Sequence, residues 1–328
     1  MKIFKSKNKA KDIILKGSKS IIGKNIKGYD FNKEFDINDF LKAYENTGYQ
    51  ATNLSKGIEI IKNMRKNKAT IFFGYTSNIV SSGLRDVICY LAKNKLVDVI
   101  VTTAGGVEED IIKCLKPFVL GDFGAKGKDL REKGINRIGN IFVPNDRYIA
   151  FEKFIQPVFE RLLEKQKNEN KIYTPSELVY ELGKEINNEE SIYYWCYKNN
   201  IPIFCPAITD GSIGDMIYFF KQNHPEIKLD ISQDHMKLIN ISINAEKSGM
   251  LILGAGLVKH MICNANLFRD GADYAVYLNT AQEYDGSDAG ALPDEAVSWG
   301  KIKPNGEMVK IYGDATILFP LIVQGAFK

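Results

Sequence analysis

Short apolar runs alternate along the chain with longer stretches in which apolar residues recur at helical spacing, a rhythm that separates strands from helices. Two helices lead, Ile37–Tyr49 and Ser55–Lys66, the second expected to begin at a Ser55 cap. Ala69–Phe73 then reads as a strand, Thr76–Gly83 as a serine-rich turn, Leu84–Lys93 as a helix and Val97–Thr102 as a second strand. Thr103-Ala104-Gly105-Gly106 closes that strand and feeds a helix predicted to open at Glu108, Glu109 and Asp110, since acids favour the positive end of a helix dipole.

Phe118–Asn140 is rich in glycine and charge and is expected to form a long surface excursion. Asp146–Gln166 and Ser176–Ile186 are amphipathic helices, and Ile201–Phe204 is a third strand leading through Asp210-Gly211-Ser212 into a helix that carries Asp215. Leu229–Ile231 is a short strand candidate, Asp234–Lys247 is helical, and Met250–Leu253 is a strand followed by Gly254-Ala255-Gly256 and a helix bearing Lys259 and His260. Asp273–Leu278 and Val309–Tyr312 complete the strands, and Asp314-Ala315 opens the terminal helix. Strands alternating with helices predict an α/β fold, a mostly parallel sheet with helices on both faces, preceded by N-terminal helices. Ligands of such sheets collect at the carboxyl ends of the strands. Ser77–Ser81, Thr103–Gly106, Asp210–Asp215, Gly254–Gly256, Asn279–Ala281 and Asp314-Ala315 each follow a strand directly.

Composition narrows the class. An apolar content of 45% over 328 residues suffices for a large core. No run approaches the ~18 to 20 apolar residues of a membrane span, and no signal-peptide stretch opens the chain, so an intracellular, cytoplasmic protein is expected. Five cysteines, far apart and without a CxxC pair, predict free thiols and no metal site. The net charge of +4 hides an asymmetry: residues 1–28 carry +8, all of the cations being lysine, and the remainder carries −4. The arm suits nucleic acid or an acidic partner, or is simply a solvated or partly helical leader. Residues 29–328 read as a single domain.

One stretch concentrates the chemistry. Asn279–Lys301 holds five carboxylates, Glu283, Asp285, Asp288, Asp294 and Glu295, against a single cation, Lys301, two residues after Trp299. Three glycines and a proline prevent one continuous helix. Two readings stand, a solvated acidic loop or an acidic pocket for a cationic ligand with a lysine at its floor. Gly254-Ala255-Gly256 is a partial dinucleotide fingerprint, with Lys259 where a third glycine would stand; a tight turn without ligand is the alternative. Thr103–Gly106 and the Ser77–Ser81 hydroxyls and amides add phosphate-compatible positions. Asp210 and Asp314 suit ribose hydroxyls or helix caps. Of the three histidines only His260 follows a glycine turn at the sheet edge. Trp299 would strip water from Lys301, whereas Glu295 and Asp288 favour its ammonium; a bound polycation that neutralises those acids would leave a nucleophilic amine.

Longer blocks carry a resemblance. GYTSNIVSSG (74–83), VDVIVTTAGGVEEDIIKCL (97–115), GINRIGN (134–140), PAITDGSIGDM (206–216), VKHMICNANLFRDGADYAVYLNTAQEYDGSDAGALPDEAVSWGKI (258–302) and YGDA (312–315) resemble deoxyhypusine synthases from about Gly28 to the C-terminus. The resemblance implies a Rossmann-like fold and NAD-dependent transfer of the aminobutyl group of spermidine to a lysine of the translation initiation factor 5A precursor. It implies Lys301 as the imine-forming nucleophile and His260 as a proton acceptor. The implied NAD positions are Ser77, Asn78, Ile79, Val80, Ser81, Thr103, Ala104, Gly105, Glu109, Asp210, Ala255, Thr280, Ala281, Asp314 and Ala315. The implied polyamine positions are Glu108, Glu109, Asp215, His260, Gly286, Ser287, Asp288, Glu295, Trp299 and Lys301. A homotetramer with sites between subunits follows from the same likeness, with no nucleic acid or membrane partner. Homospermidine synthase, with putrescine as acceptor, and a silent regulatory paralogue are the alternatives. Ala255 stands where the family has a glycine, and Ala289 and Leu292 replace a serine and an arginine of the animal enzymes.

Overall fold

Alternation within each strand sorts its side chains onto two faces. In β1 (Thr70–Tyr75) Ile71, Phe73 and Tyr75 enter one core and Phe72 the other. The pattern recurs in β7 (Ser248–Leu253) and β8 (Ala272–Asn279), so both faces need helical cover. The computed structural model describes residues 9–328. β1, β2 (Val99–Thr102), β6 (Ile203–Phe204), β7, β8 and β9 (Ile302–Tyr312) form one six-stranded sheet in the order β6-β2-β1-β7-β8-β9, parallel throughout. Counted within the sheet this is the 3-2-1-4-5-6 order of dinucleotide-binding folds, and its direction reverses between β1 and β7.

One face is covered by Tyr49–Lys66, Leu84–Lys93, Ala104–Leu115, Asp146–Glu169, Pro175–Ile186, Ile192–Asn199 and the terminal helix Ala315–Ala326. Ile231–Asn244, Leu257–Leu267 and Pro293–Ser298 cover the other. Full burial of Phe72 and Phe73 contributes roughly 1.5–3 kcal/mol each. The open edge of β9 is blunted by side chains of the Tyr49–Lys66 helix: Asn53 donates to the Lys310 carbonyl at 3.2 Å, and Gln50 accepts from the Tyr312 N–H at 2.8 Å.

Several expectations need correction. The first leading helix ends at Ala43 and passes through a 3-10 turn, Tyr44–Asn46. Gly48, at φ 95°, starts the second helix; Ser55 is buried inside it. The helix expected to open at Glu108 begins at Ala104, so Glu108, Glu109 and Asp110 fall in its second turn and are buried. The glycine-rich excursion contains a separate antiparallel sheet of β3 (Val119–Leu120), β4 (Ile135–Ile138) and β5 (Ile141–Pro144). Leu229–Ile231 forms only a single bridge from Leu229 to Tyr173, because Asp230 already caps the next helix. The last strand starts at Ile302, seven residues before Val309. Ile192–Asn199, an aromatic-rich helix, went unpredicted. Residues 9–28 lie exposed along the molecule, with Lys24 paired to Glu45; residues 1–8 of the arm fall outside the described part.

Candidate active site

At the carboxyl end of β1 the chain turns into a short helix, Ser77–Ser81. The Ser77 hydroxyl lies 2.6 Å from that of Thr103, which also accepts the Ser77 N–H at 3.1 Å. Gly105 packs against this pair; a Cβ there would stand 2.6 Å from Ser77 Oγ. Lys113 donates to the carbonyls of Val80, Ser81 and Ser82 and fixes the end of the short helix.

After β7, Gly254 and Gly256 adopt φ of 78° and 63°, which favours glycine. A Cβ on Gly256 would meet nothing within 4 Å, so bare backbone lines an open cradle at the switch point. Ala255 between them has no left-handed φ, and its methyl adds no backbone strain. Asn279 ties this cradle to its neighbours: its amide donates to the Gly254 carbonyl at 3.2 Å, its side-chain oxygen accepts from Ala281 N–H at 3.1 Å, and its carbonyl accepts from Gly313 N–H at 3.1 Å. Ala255, Thr280, Ala281, Asp314 and Ala315 therefore share one rim. Asp314 acts as a helix cap, accepting from the Thr316 N–H at 2.7 Å. Asp210 is exposed in the loop that follows β6, at the far edge of the sheet from β9. The rim, the switch point and the Ser77–Thr103 hydroxyls suit the phosphates and riboses of NAD.

The acids of the Ala104–Leu115 helix are buried with distinct partners. Asp110 pairs with Arg85 at 2.7 Å and accepts from the Ser191 hydroxyl and Ile192 N–H. Glu108 accepts the Ile213 N–H at 2.7 Å, at the start of the Ser212–Asn223 helix that carries Asp215 in its first turn. Glu109 accepts from the Ser81 hydroxyl. Burial raises the pKa of both glutamic acids, that of Glu109 to about 7. Such carboxyl groups are primed for a cation.

The acidic loop leaves β8 at the same sheet edge and descends over the Leu257–Leu267 helix on the opposite face. His260 lies on that helix, its Nδ1 3.7 Å from Asp288 Oδ1 and its Nε2 2.8 Å from Asn264. The other Asp288 oxygen is buried and has no partner among the described residues. Gly286 takes a left-handed φ of 72°, and Ser287 donates its N–H to Asp285. Lys301 Nζ sits 5.4 Å from the centre of the Trp299 ring. Trp299 is itself 64% exposed and Glu295 is also exposed, so the expected enclosure of the lysine is one-sided within a single chain. Lys259 and Lys310, by contrast, are buried beneath the loop; the sequence marked Lys259 only as a missing glycine and gave no sign of Lys310.

The predicted residues thus gather into three groups. Ser77, Ser81, Thr103, Glu108, Glu109 and Asp215 lie on one face, the rim of Ala255, Thr280, Ala281, Asp314 and Ala315 lies at the strand ends, and His260, Asp288, Trp299 and Lys301 lie on the other face. No hydrogen bond or ion pair among the described residues joins Glu108, Glu109 or Asp215 to Asp288 or Lys301.

Sheet order, glycine cradle and acid clusters define a dinucleotide-dependent α/β enzyme. The family model for deoxyhypusine synthase matches residues 39–326, and the chain belongs to that family. A Senecio vernalis deoxyhypusine synthase is 51% identical over 346 residues, covering 97% of this chain and 93% of its own length. Homospermidine synthase 2 of the same plant is also 51% identical, covering 97% and 94%. A solved Entamoeba histolytica structure, provisionally assigned to deoxyhypusine synthase, superposes with a TM-score of 0.66 at 32% identity, covering 92% of this chain and 96% of that one. With the family come NAD as cofactor and NAD-dependent aminobutyl transfer.

Proposed function

We propose that the chain takes the aminobutyl group of spermidine onto Lys301 as an imine and passes it to one lysine of the translation initiation factor 5A precursor, forming deoxyhypusine. NAD, held at the glycine cradle and the Ser77–Thr103 hydroxyls, supplies the hydride acceptor for amine oxidation and returns the hydride at the end. The unpartnered buried oxygen of Asp288, set beside His260 on the face that carries Lys301, carries this reading. Spermidine is a polycation, and each ammonium paired with a desolvated carboxylate of Asp288, Glu108 or Glu109 would contribute roughly 1.5–3 kcal/mol, with the exposed Glu295 and Asp215 adding less. His260 takes the proton lost as the amine is oxidised, 1,3-diaminopropane leaves, and the Lys301 amine captures the four-carbon unit. Trp299 lies along the alkyl chain and keeps water off one side of the imine.

The two acid groups lie on opposite faces of one chain, which supports a site shared between subunits of a homotetramer. Leu267, Phe268, Tyr284, Leu292 and Trp299 are exposed apolar residues on and beside the acidic loop and its underlying helix, available to a second copy. The assembly is assigned to the cytoplasm; among the described residues no helix is long and apolar enough to cross a membrane.

Homospermidine synthesis is the second reading, since the 51% identity to the Senecio deoxyhypusine synthase is matched by that to homospermidine synthase 2 of the same plant. Labelled spermidine and NAD, offered with the factor 5A precursor or with putrescine, separate the two by product. Lys301→Ala should still cleave some spermidine but transfer no label; efficient labelling by the variant would remove Lys301 from the mechanism. Turnover by the purified chain alone excludes a silent paralogue.

A further inference from the structure

We infer that Lys259 and Lys310 are positioning residues for the Ala281–Ala291 loop: two buried ammoniums that hold its main chain and leave the Asp288 carboxylate free for a cationic substrate. The inference rests on the reading of Asp288 as a polyamine ligand. Lys259 is 2% exposed and donates to the carbonyls of Asp288 and Ala291, the latter at 3.0 Å, while its Nζ lies 4.8 Å from the Tyr277 ring centre. Lys310 donates to the carbonyls of Ala281 at 2.7 Å and Gly290 at 2.6 Å, bridging the two strands of the loop where they come together. The chain is jammed at that neck: a Cβ on Gly290 would stand 1.6 Å from the Gln282 carbonyl oxygen.

The choice of acceptors is the informative feature. Buried ammoniums ordinarily pair with carboxylates, and this loop offers three, Glu283, Asp285 and Asp288. Neither lysine makes an ion pair within 4 Å among the described residues; both are satisfied by main-chain carbonyls. A lysine bound to the Asp288 carboxylate would cancel the charge that a polyamine needs. A lysine bound to the Asp288 carbonyl fixes the residue and spares its charge. Burial lowers the pKa of both lysines and outweighs the opposing pull of Asp288 on Lys259 and of Glu283 on Lys310, neither of which makes a direct ion pair with its lysine. The same bridges hold Ala281 on the cofactor rim, so the loop aligns the cofactor and polyamine halves of this face.

The test uses the full-length protein with Lys259→Met and Lys310→Met, which keep side-chain length but remove the donors, and Lys310→Arg as the conservative rescue. Amide hydrogen exchange is followed over residues 282–291 and over β1, β7 and β8. The inference expects exchange at least about tenfold faster in the loop with unchanged protection of the sheet. It expects spermidine KM to rise roughly tenfold or more with kcat within about threefold, and partial recovery in the arginine variant. Unchanged loop exchange, equal loss of protection in the sheet, or a fall in kcat at constant KM would each overturn it. If the wild-type chain does not turn over spermidine, the functional reading fails, and the exchange data still decide whether the lysines hold the loop.

Discussion

The N–H of Ala272 donates to the carbonyl of Lys301 at 3.0 Å, which sets Lys301 at the amino end of β8 and β9, opposite the edge that carries Thr280 and Ala281. Over the eight residues of β8 the two edges lie about 25 Å apart. The long lysine side chain and the descending loop recover part of that span, but the buried acids of the Ala104–Leu115 helix lie on the other face. One chain therefore carries the two acid groups on opposite faces of its sheet, the arrangement behind the proposed site between subunits.

Complementation follows from this separation. Lys301→Ala and Asp215→Ala should each fail to transfer the aminobutyl label when assayed alone. Unfolded and refolded together, they should regain activity, because mixed pairs form one intact site; in a random mixture this is about a quarter of the wild-type sites if each site draws one half from each of two copies. A steady-state assay of the co-refolded mixture checks it, and no recovery places both halves in the same subunit.

The Glu109 carboxyl, raised to about 7 by burial, predicts a pH-dependent affinity. A polyamine cation prefers the carboxylate, so spermidine binding should strengthen as pH rises from about 6 to 8, and Glu109→Gln should flatten that dependence. The sign for folding is opposite. Between the unfolded value of 4.5 and about 7 the native state holds the extra proton, so this group costs stability as pH rises through that window. Calorimetric binding and denaturant titrations across the range measure both.

Arg85→Ala should destabilise the fold by about 3–5 kcal/mol, since it strips a fully buried Asp110 of its ionic partner. Urea unfolding reads this directly. Asp110 shares its helix with Glu108 and Glu109, so the surviving folded protein should also bind spermidine more weakly.

Gly105→Ala should weaken NAD binding by roughly tenfold while leaving the sheet intact. The added methyl would displace Ser77 from Thr103, an overpacking penalty of about 1–3 kcal/mol at the cofactor edge. Equilibrium titration with NAD, watched by tryptophan fluorescence, tests it; unchanged affinity would show that the Ser77–Thr103 pair does not touch the cofactor.

Local pattern determined much of this molecule. The apolar runs at Phe72-Phe73 and Met250–Leu253 become central strands because their neighbours on both faces are helices. The glycine turn at Gly254–Gly256 sits at the predicted edge because left-handed backbone is a local property. Tertiary structure alone decided what lies far apart in sequence: that Glu108, Glu109 and Asp110 turn inward, that β9 begins immediately after Lys301, and that Lys259 and Lys310 point beneath the acidic loop. A buried charge is tolerated only where distant groups supply its partners. Those partners, Ile213, Ser191, Ala291 and Gly290 among them, are brought up by the fold and leave no trace in the periodicity of the segment they satisfy.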